Sequence, residues 1–294
     1  MRYQISYEST YHYSRPVVGN FNRLRMRPTT EGTQRCEHFD ISVTPHPDRQ
    51  TTYADLFGNE VTEILVGAPV QRLRIRVDAI VATTEPMPPP EGSWSDLQTD
   101  RYRAAAGPYR YHPYSYLHEN AALADLVDEV RGNTPAETLR NVTQLIPDRF
   151  RYEPGATNAD TTTPEFVALG AGVCQDFAHL GVALLRSHDI GACYVSGYFF
   201  TSPDGDQGTS AEVQTHAWIE ALLPVESSSA PVWFATDPTN AIVAGQDHVK
   251  IGHGRMYSDV PPVEGTFSGD AQSSVAAHVT MRRVPTPSDQ LSAL

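Results

Sequence analysis

Three short stretches of this chain hold residues that could do chemistry together: "GVCQDFAHL" with Cys174, "THAWIEALLP" with His216 and "VWFATDPTN" with Asp237. A thiol, an imidazole and a carboxylate are the groups of nucleophilic acyl chemistry. Sulfur attacks a carbonyl, the imidazole moves the proton, and the carboxylate fixes the imidazole's tautomer. His216 lies 42 residues after Cys174, and Asp237 lies 21 residues after His216. The first interval leaves room for a helix leading into a strand, and the second for one hairpin between adjacent strands.

The elements that must position these groups follow from periodicity. Val173, Phe177, Leu180 and Leu184 recur at steps of three and four, which predicts an amphipathic helix with Cys174 in its first turn. Unsatisfied backbone amides and the positive end of the helix dipole favour an anion at such a place. Gln175 and Asp176 read as braces of that first turn. His179 falls well round the helical wheel from the thiol and reads as a packed, hydrogen-bonded histidine. "ACYVSGYFF", "THAWIEALLP" and "VWFATDP" change to a strand-like period, with His216 at the mouth of one strand and Asp237 at the end of the next. Trp218, two residues beyond His216, shares its strand face and is the candidate for walling a substrate pocket.

Upstream, "ENAALADLVDEV" and "PAETLRNVTQLIPDRF" show helical spacing, the second opened by Thr134 as N-cap and Pro135 at the first helical position. Two helices are therefore expected before the Cys174 helix. From Tyr3 to about Thr83 the chain alternates in short segments, with a Gly58-Asn59 hairpin signal in "DLFGNEV". "TTEPMPPPEGSWSD" has almost nothing to bury and reads as a linker. The expected organisation is an antiparallel β domain over residues 1–90 and an α+β catalytic core over 91–294, with "SVAAHVTMRRV" as a last strand.

Composition narrows the function classes. A net charge of −13 over 294 residues argues against nucleic acid, which needs clustered Lys and Arg. Arg23, Arg25 and Arg27, like Arg72, Arg74 and Arg76, alternate with other residues as a strand's solvated face does. No apolar run reaches the roughly 20 residues of a membrane span, and the start lacks a signal peptide's apolar core, so a cytoplasmic location is expected. The three cysteines, Cys36, Cys174 and Cys193, form no Cys-x-x-Cys pair, and Cys193 reads as a small buried hydrophobe. The eleven histidines make no His-x-x-x-His pair, and "SPDGDQGTS" reads as a hairpin tip, not a calcium loop; neither a metal nor a cofactor is expected.

The Cys174, His216 and Asp237 blocks, in that order, resemble the three signature blocks of the transglutaminase-like cysteine protease superfamily in its bacterial branch. The first ninety residues, with "DLFGN", resemble the N-terminal β domain of that branch, and "YSDVPPVEGTFSG" is similar to its segment after the aspartate. The resemblance implies a papain-like core with Cys174 as nucleophile, His216 as general acid and base, and Asp237 orienting the histidine. A protein or peptide substrate and a thioester intermediate follow. Hydrolysis is the expected outcome, with transfer to an amine as the alternative. N-acyltransfer onto a small amine and a non-catalytic binding module are further readings.

Overall fold

The computed structural model describes residues 1–110, 120–201, 210–213, 215–226 and 229–285. Five strands come first: β1 (Arg2–Leu24), β2 (Gln34–Thr44), β3 (Arg49–Ala54), β4 (Glu60–Val66) and β5 (Val70–Thr83). Then follow α1 (Asp100–Ala106), α2 (Ala121–Val130), α3 (Pro135–Arg149), β6 (Arg151–Tyr152), α4 (Thr163–Leu169), β7 (Ala171–Gly172) and α5 (Cys174–Ser187). The chain finishes with β8 (Ala192–Phe199), β9 (Ser210–Val213), β10 (Thr215–Leu223), β11 (Val232–Asp237), β12 (Ile242–Val243), β13 (His248–Gly254), β14 (Val263–Ser268) and β15 (Ser273–Arg283). The α+β class expected from the sequence is the one observed. The "SPDGDQGTS" segment lies almost wholly outside the described residues.

An eight-stranded sheet is built on the long β1, and a five-stranded sheet runs in the order β12-β11-β10-β8-β13. In β5, Leu73, Ile75 and Val77 are buried while Arg72, Arg74 and Arg76 face water, where Arg74 meets Glu8 and Arg76 meets Asp78. The Gly58-Asn59 turn joins β3 to β4. Gly58 takes a φ of +85°, and the Asp55 carboxylate accepts from the amides of Phe57 and Asn59. Helices cover one face of the smaller sheet: Leu180, Val182 and Leu184 of α5 join Ala217, Ile219 and Ala221 of β10 in one apolar core. Tyr198, Phe200, Val249 and Ile251 bury instead among Tyr3, Ile5, Leu73 and Ile75 of the larger sheet. The molecule is thus layered as helices, small sheet and large sheet.

Two expectations need correcting. The 91–294 unit does not stand apart from the first sheet, because β14 and β15 return to pair with β1, and β9 pairs with β15. Without β15 one edge of β1 from Tyr3 to Tyr13 would carry unpaired backbone groups. Among the described residues four α-helices, not two, precede the Cys174 helix. The extra ones, α1 and α4, have seven residues each, too short to display a 3.6-residue period. Their cues are at the ends: the Thr99 side chain caps Tyr102, and Thr162 with Glu165 forms a capping box.

Candidate active site

Cys174 opens α5 directly after β7. Gly170 takes a left-handed φ of +68° at the end of α4, and Gly172 sits where a Cβ would stand 2.6 Å from Asp176 Oδ2 and 2.7 Å from the Phe166 ring. The two glycines turn the chain sharply enough to deliver the thiol at a helix start. Asp176 is buried, and its Oδ2 accepts from the Val173 amide at 2.8 Å and from Thr157 Oγ1 at 2.6 Å. Gln175 donates to the Ala159 carbonyl at 3.2 Å. Both act as braces, as their positions suggest. The Cys174 amide, first in the helix, has no carbonyl four residues back within the helix to bond.

His216 is the second residue of β10 and Asp237 ends β11; the Ile219↔Thr236 register brings the two strand ends together. His216 Nε2 donates to Asp237 Oδ2 at 2.8 Å, and the Cys174 thiol is close enough to influence the imidazole's charge. Nδ1 is the nitrogen left for the sulfur. Burial opposes charge on this imidazole, but Asp237 and then Cys174 outweigh it and raise its pKa to about 9. Asp237 is itself buried, yet the donors around it hold its carboxyl far below the usual range. Thr239 N and Asn240 N donate to Oδ1 at 2.8 and 3.3 Å, and Asn240 Nδ2 donates to Oδ2 at 2.6 Å. His216 and Asp237 are therefore paired, with Cys174 beside the imidazole.

His248 is a member of this cluster that the sequence did not disclose. From the start of β13 its Nε2 donates to Asp237 Oδ2 at 3.1 Å, while its Nδ1 accepts from the Gly245 amide at 3.3 Å. That pairing fixes the neutral tautomer with its proton on Nε2. Burial lowers its pKa further than Asp237 raises it. Phe199 stacks on both imidazoles, at 5.5 Å from His216 and 4.3 Å from His248. Trp218 is 2% exposed and lies 6.1 Å from His216, so its ring supports the imidazoles from behind. Tyr152, half exposed on β6, is a second residue without a sequence signal. Burial, then the nearby thiol and Asp237, raise its phenol's pKa, which places it beside the site. One histidine among eleven at a strand start, and one tyrosine among fourteen, carry no signal in a single sequence.

His179 is half-buried, and its Nε2 accepts from the Tyr257 amide at 3.0 Å; desolvation lowers its pKa to about 4. It ties α5 to the segment after β13 and takes no part in the cluster. Cys193 is fully buried with its thiol pKa pushed well up, and burial also raises that of Cys36. The ligand atoms of His216, Asp237 and His248 lie within 4.8 Å of one another. Their separations of 2.8 and 3.1 Å are hydrogen-bond lengths, and a metal at about 2 Å from each would displace both protons. No helix among the described residues is long and apolar enough to cross a membrane.

Fold and site define a papain-like arrangement in which a helix start presents a thiol to a histidine and an aspartate on neighbouring strands. Residues 3–82 match the bacterial transglutaminase-like N-terminal region, and residues 124–238 match the transglutaminase-like superfamily. An uncharacterised protein of Mycobacterium tuberculosis (strain H37Rv) is 31% identical over 99% of this chain and 95% of its own. Another from Mycobacterium leprae is 28% identical over 96% of this chain and 99% of its own. A crystal structure of a candidate cysteine protease from Cytophaga hutchinsonii shares the fold, with a TM-score of 0.75, 22% identity, and coverage of 97% of this chain and 91% of that one. The chain belongs to the transglutaminase-like superfamily, in the branch that carries the bacterial N-terminal region, and it is a cysteine-based enzyme of that superfamily.

Proposed function

We propose that this protein is a cysteine-dependent acyl-transfer enzyme that hydrolyses peptide or side-chain amide bonds through a thioester at Cys174. The observation that carries this reading is the 2.8 Å hydrogen bond from His216 to Asp237 with Cys174 beside the imidazole, whose pKa is raised to about 9. In the first step the Cys174 sulfur attacks the amide carbonyl and a C–S bond forms. The oxyanion is held by backbone amides including that of Cys174. As the C–N bond breaks, His216 gives its proton to the leaving amine. Water then attacks the thioester and passes a proton to His216, and the C–S bond breaks with its electron pair leaving on sulfur, which restores the imidazolium beside it. Asp237 keeps the imidazole turned toward the sulfur throughout, and His248 with Asn240 keeps Asp237 in place.

Water is the acceptor in this reading because it needs no dedicated binding surface. The test is a peptide library incubated with and without a primary amine. Hydrolysis yields new termini, or deamidated glutamine and asparagine, independently of the amine, and Cys174→Ala yields neither. Incorporation of the amine into products without hydrolysis would shift the reading to transfer. Turnover that survives Cys174→Ala would overturn the cysteine mechanism.

A further inference from the structure

On the far side of the small sheet from α5 lies a cavity of about 650 Å³, a size suited to a small-molecule ligand. Its floor is formed by Trp218, Glu220, His248 and Lys250. Trp233 and His253 stand at its walls, and Glu31 closes it from the large sheet's side. Pro86, Met87 and Pro88 line it as well, so the proline-rich stretch after β5 is a wall of this space.

The charges in the cavity do not balance. Lys250 Nζ lies 2.7 Å from Glu31 Oε1 and 2.7 Å from Glu220 Oε2, one ammonium between two carboxylates. His253 is kept neutral by burial and by Lys250, and His248 is neutral as well. One negative charge is left over. Glu31 is half exposed and can offer its other oxygen to the cavity, whereas the side chain of Glu220 is mostly buried. His253 Nδ1, 3.9 Å from Glu31, is buried and has no hydrogen-bond partner among the described residues.

Two indoles, Trp218 and Trp233, also face the cavity. Trp233 is 37% exposed and held edge-on by Tyr109 at 5.2 Å, and an indole face attracts cations. An anion would meet net negative charge here. A divalent metal would find Lys250 already between the carboxylates. An organic cation with an alkyl stem satisfies both the excess carboxylate and the indoles.

We propose that this cavity is a second ligand site, distinct from Cys174, that binds a primary alkylammonium with its charged head against Glu31 and its stem along Trp233. The site does not depend on the acyl-transfer reading. It does stand one side chain from the cluster, since His248 both lines the cavity and donates to Asp237.

Calorimetric titration of Cys174→Ala, which forms no thioester, isolates this site. The probes are n-butylammonium and, as its uncharged counterpart, n-butanol. Saturable binding of butylammonium without binding of butanol is expected. Glu31→Gln and Trp233→Leu, each made in that background with an unchanged melting temperature, are each expected to weaken it at least about tenfold. Absence of butylammonium binding, equal binding of butanol, or affinity retained in either folded variant would overturn the proposal.

Discussion

Asp237 accepts five hydrogen bonds, and its carboxylate is the point at which His216, His248 and Asn240 meet. A buried charge so fully paired is costly to disturb, because removing it leaves several buried donors without an acceptor. The pH consequence concerns His216. It is protonated below about 9, so a reaction that needs the imidazolium loses rate as pH rises through that value. The alkaline limb of a pH–rate profile should fall near 9. In Asp237→Ala the groups raising the pKa are reduced while burial remains, so the limb should move to lower pH. A limb that stays in place would remove Asp237 as the orienting group. His216→Ala should lower the rate by roughly 10²–10⁴, the usual reach of general acid and base catalysis. His248→Ala should move the alkaline limb as well as lower kcat, since it acts through Asp237; a change in KM alone would contradict this positioning role.

At the scale of elements, α5 is held in place by its ends as much as by its apolar face. Asp176 at its start joins the Val173 amide to Thr157, and Arg186 at its other end donates to the carbonyls of Ala192 and Arg255. Asp176→Ala should cost about 1–2 kcal/mol, the loss of a capping carboxylate with its partners left buried, read as a lower melting temperature. An unchanged melting temperature would show the brace to be idle. This helix was legible in the sequence because fourteen residues give its apolar stripe four turns to repeat. So were β10 and β11, whose ends carry His216 and Asp237. The seven-residue α1 and α4 were not, because their definition lies in caps and not in period. His248 was hidden for another reason: its bond to Asp237 is made across the strand ends, and nothing in "QDHVK" encodes which strand will lie beside which.

For the whole molecule, the large sheet completes the small one. β13 is an edge strand, and its outward backbone is met by side-chain amides from the N-terminal region. Gln34 exchanges two hydrogen bonds of 2.8 Å with Lys250, and Asn59 exchanges two of 2.8 Å with His253. These amides hold the strand that carries His248 to the cluster. Asn59→Ala leaves a buried amide and carbonyl unmet and should cost about 2–3 kcal/mol, measured by denaturant unfolding. Residues 91–294 alone would expose Tyr198, Phe200, Val249 and Ile251 and strand β15 without β1, so that fragment should fail to give a cooperative transition. A cooperative unfolding curve from it would show the two sheets to be independent. The sequence pattern distinguished an early β region from a later α+β region, but the return of β14 and β15 to β1 is a long-range pairing that local periodicity does not contain.

The central claim is that His216 and Asp237 activate the sulfur of Cys174. Its most direct measurement is the rate of iodoacetamide alkylation at each cysteine, followed by mass spectrometry of tryptic peptides in the wild-type protein and in His216→Ala. The account predicts alkylation of Cys174 far faster than of Cys36 or Cys193 in the wild type, and loss of most of that advantage in His216→Ala. Equal rates at Cys174 and Cys36, or an advantage untouched by the substitution, would contradict it.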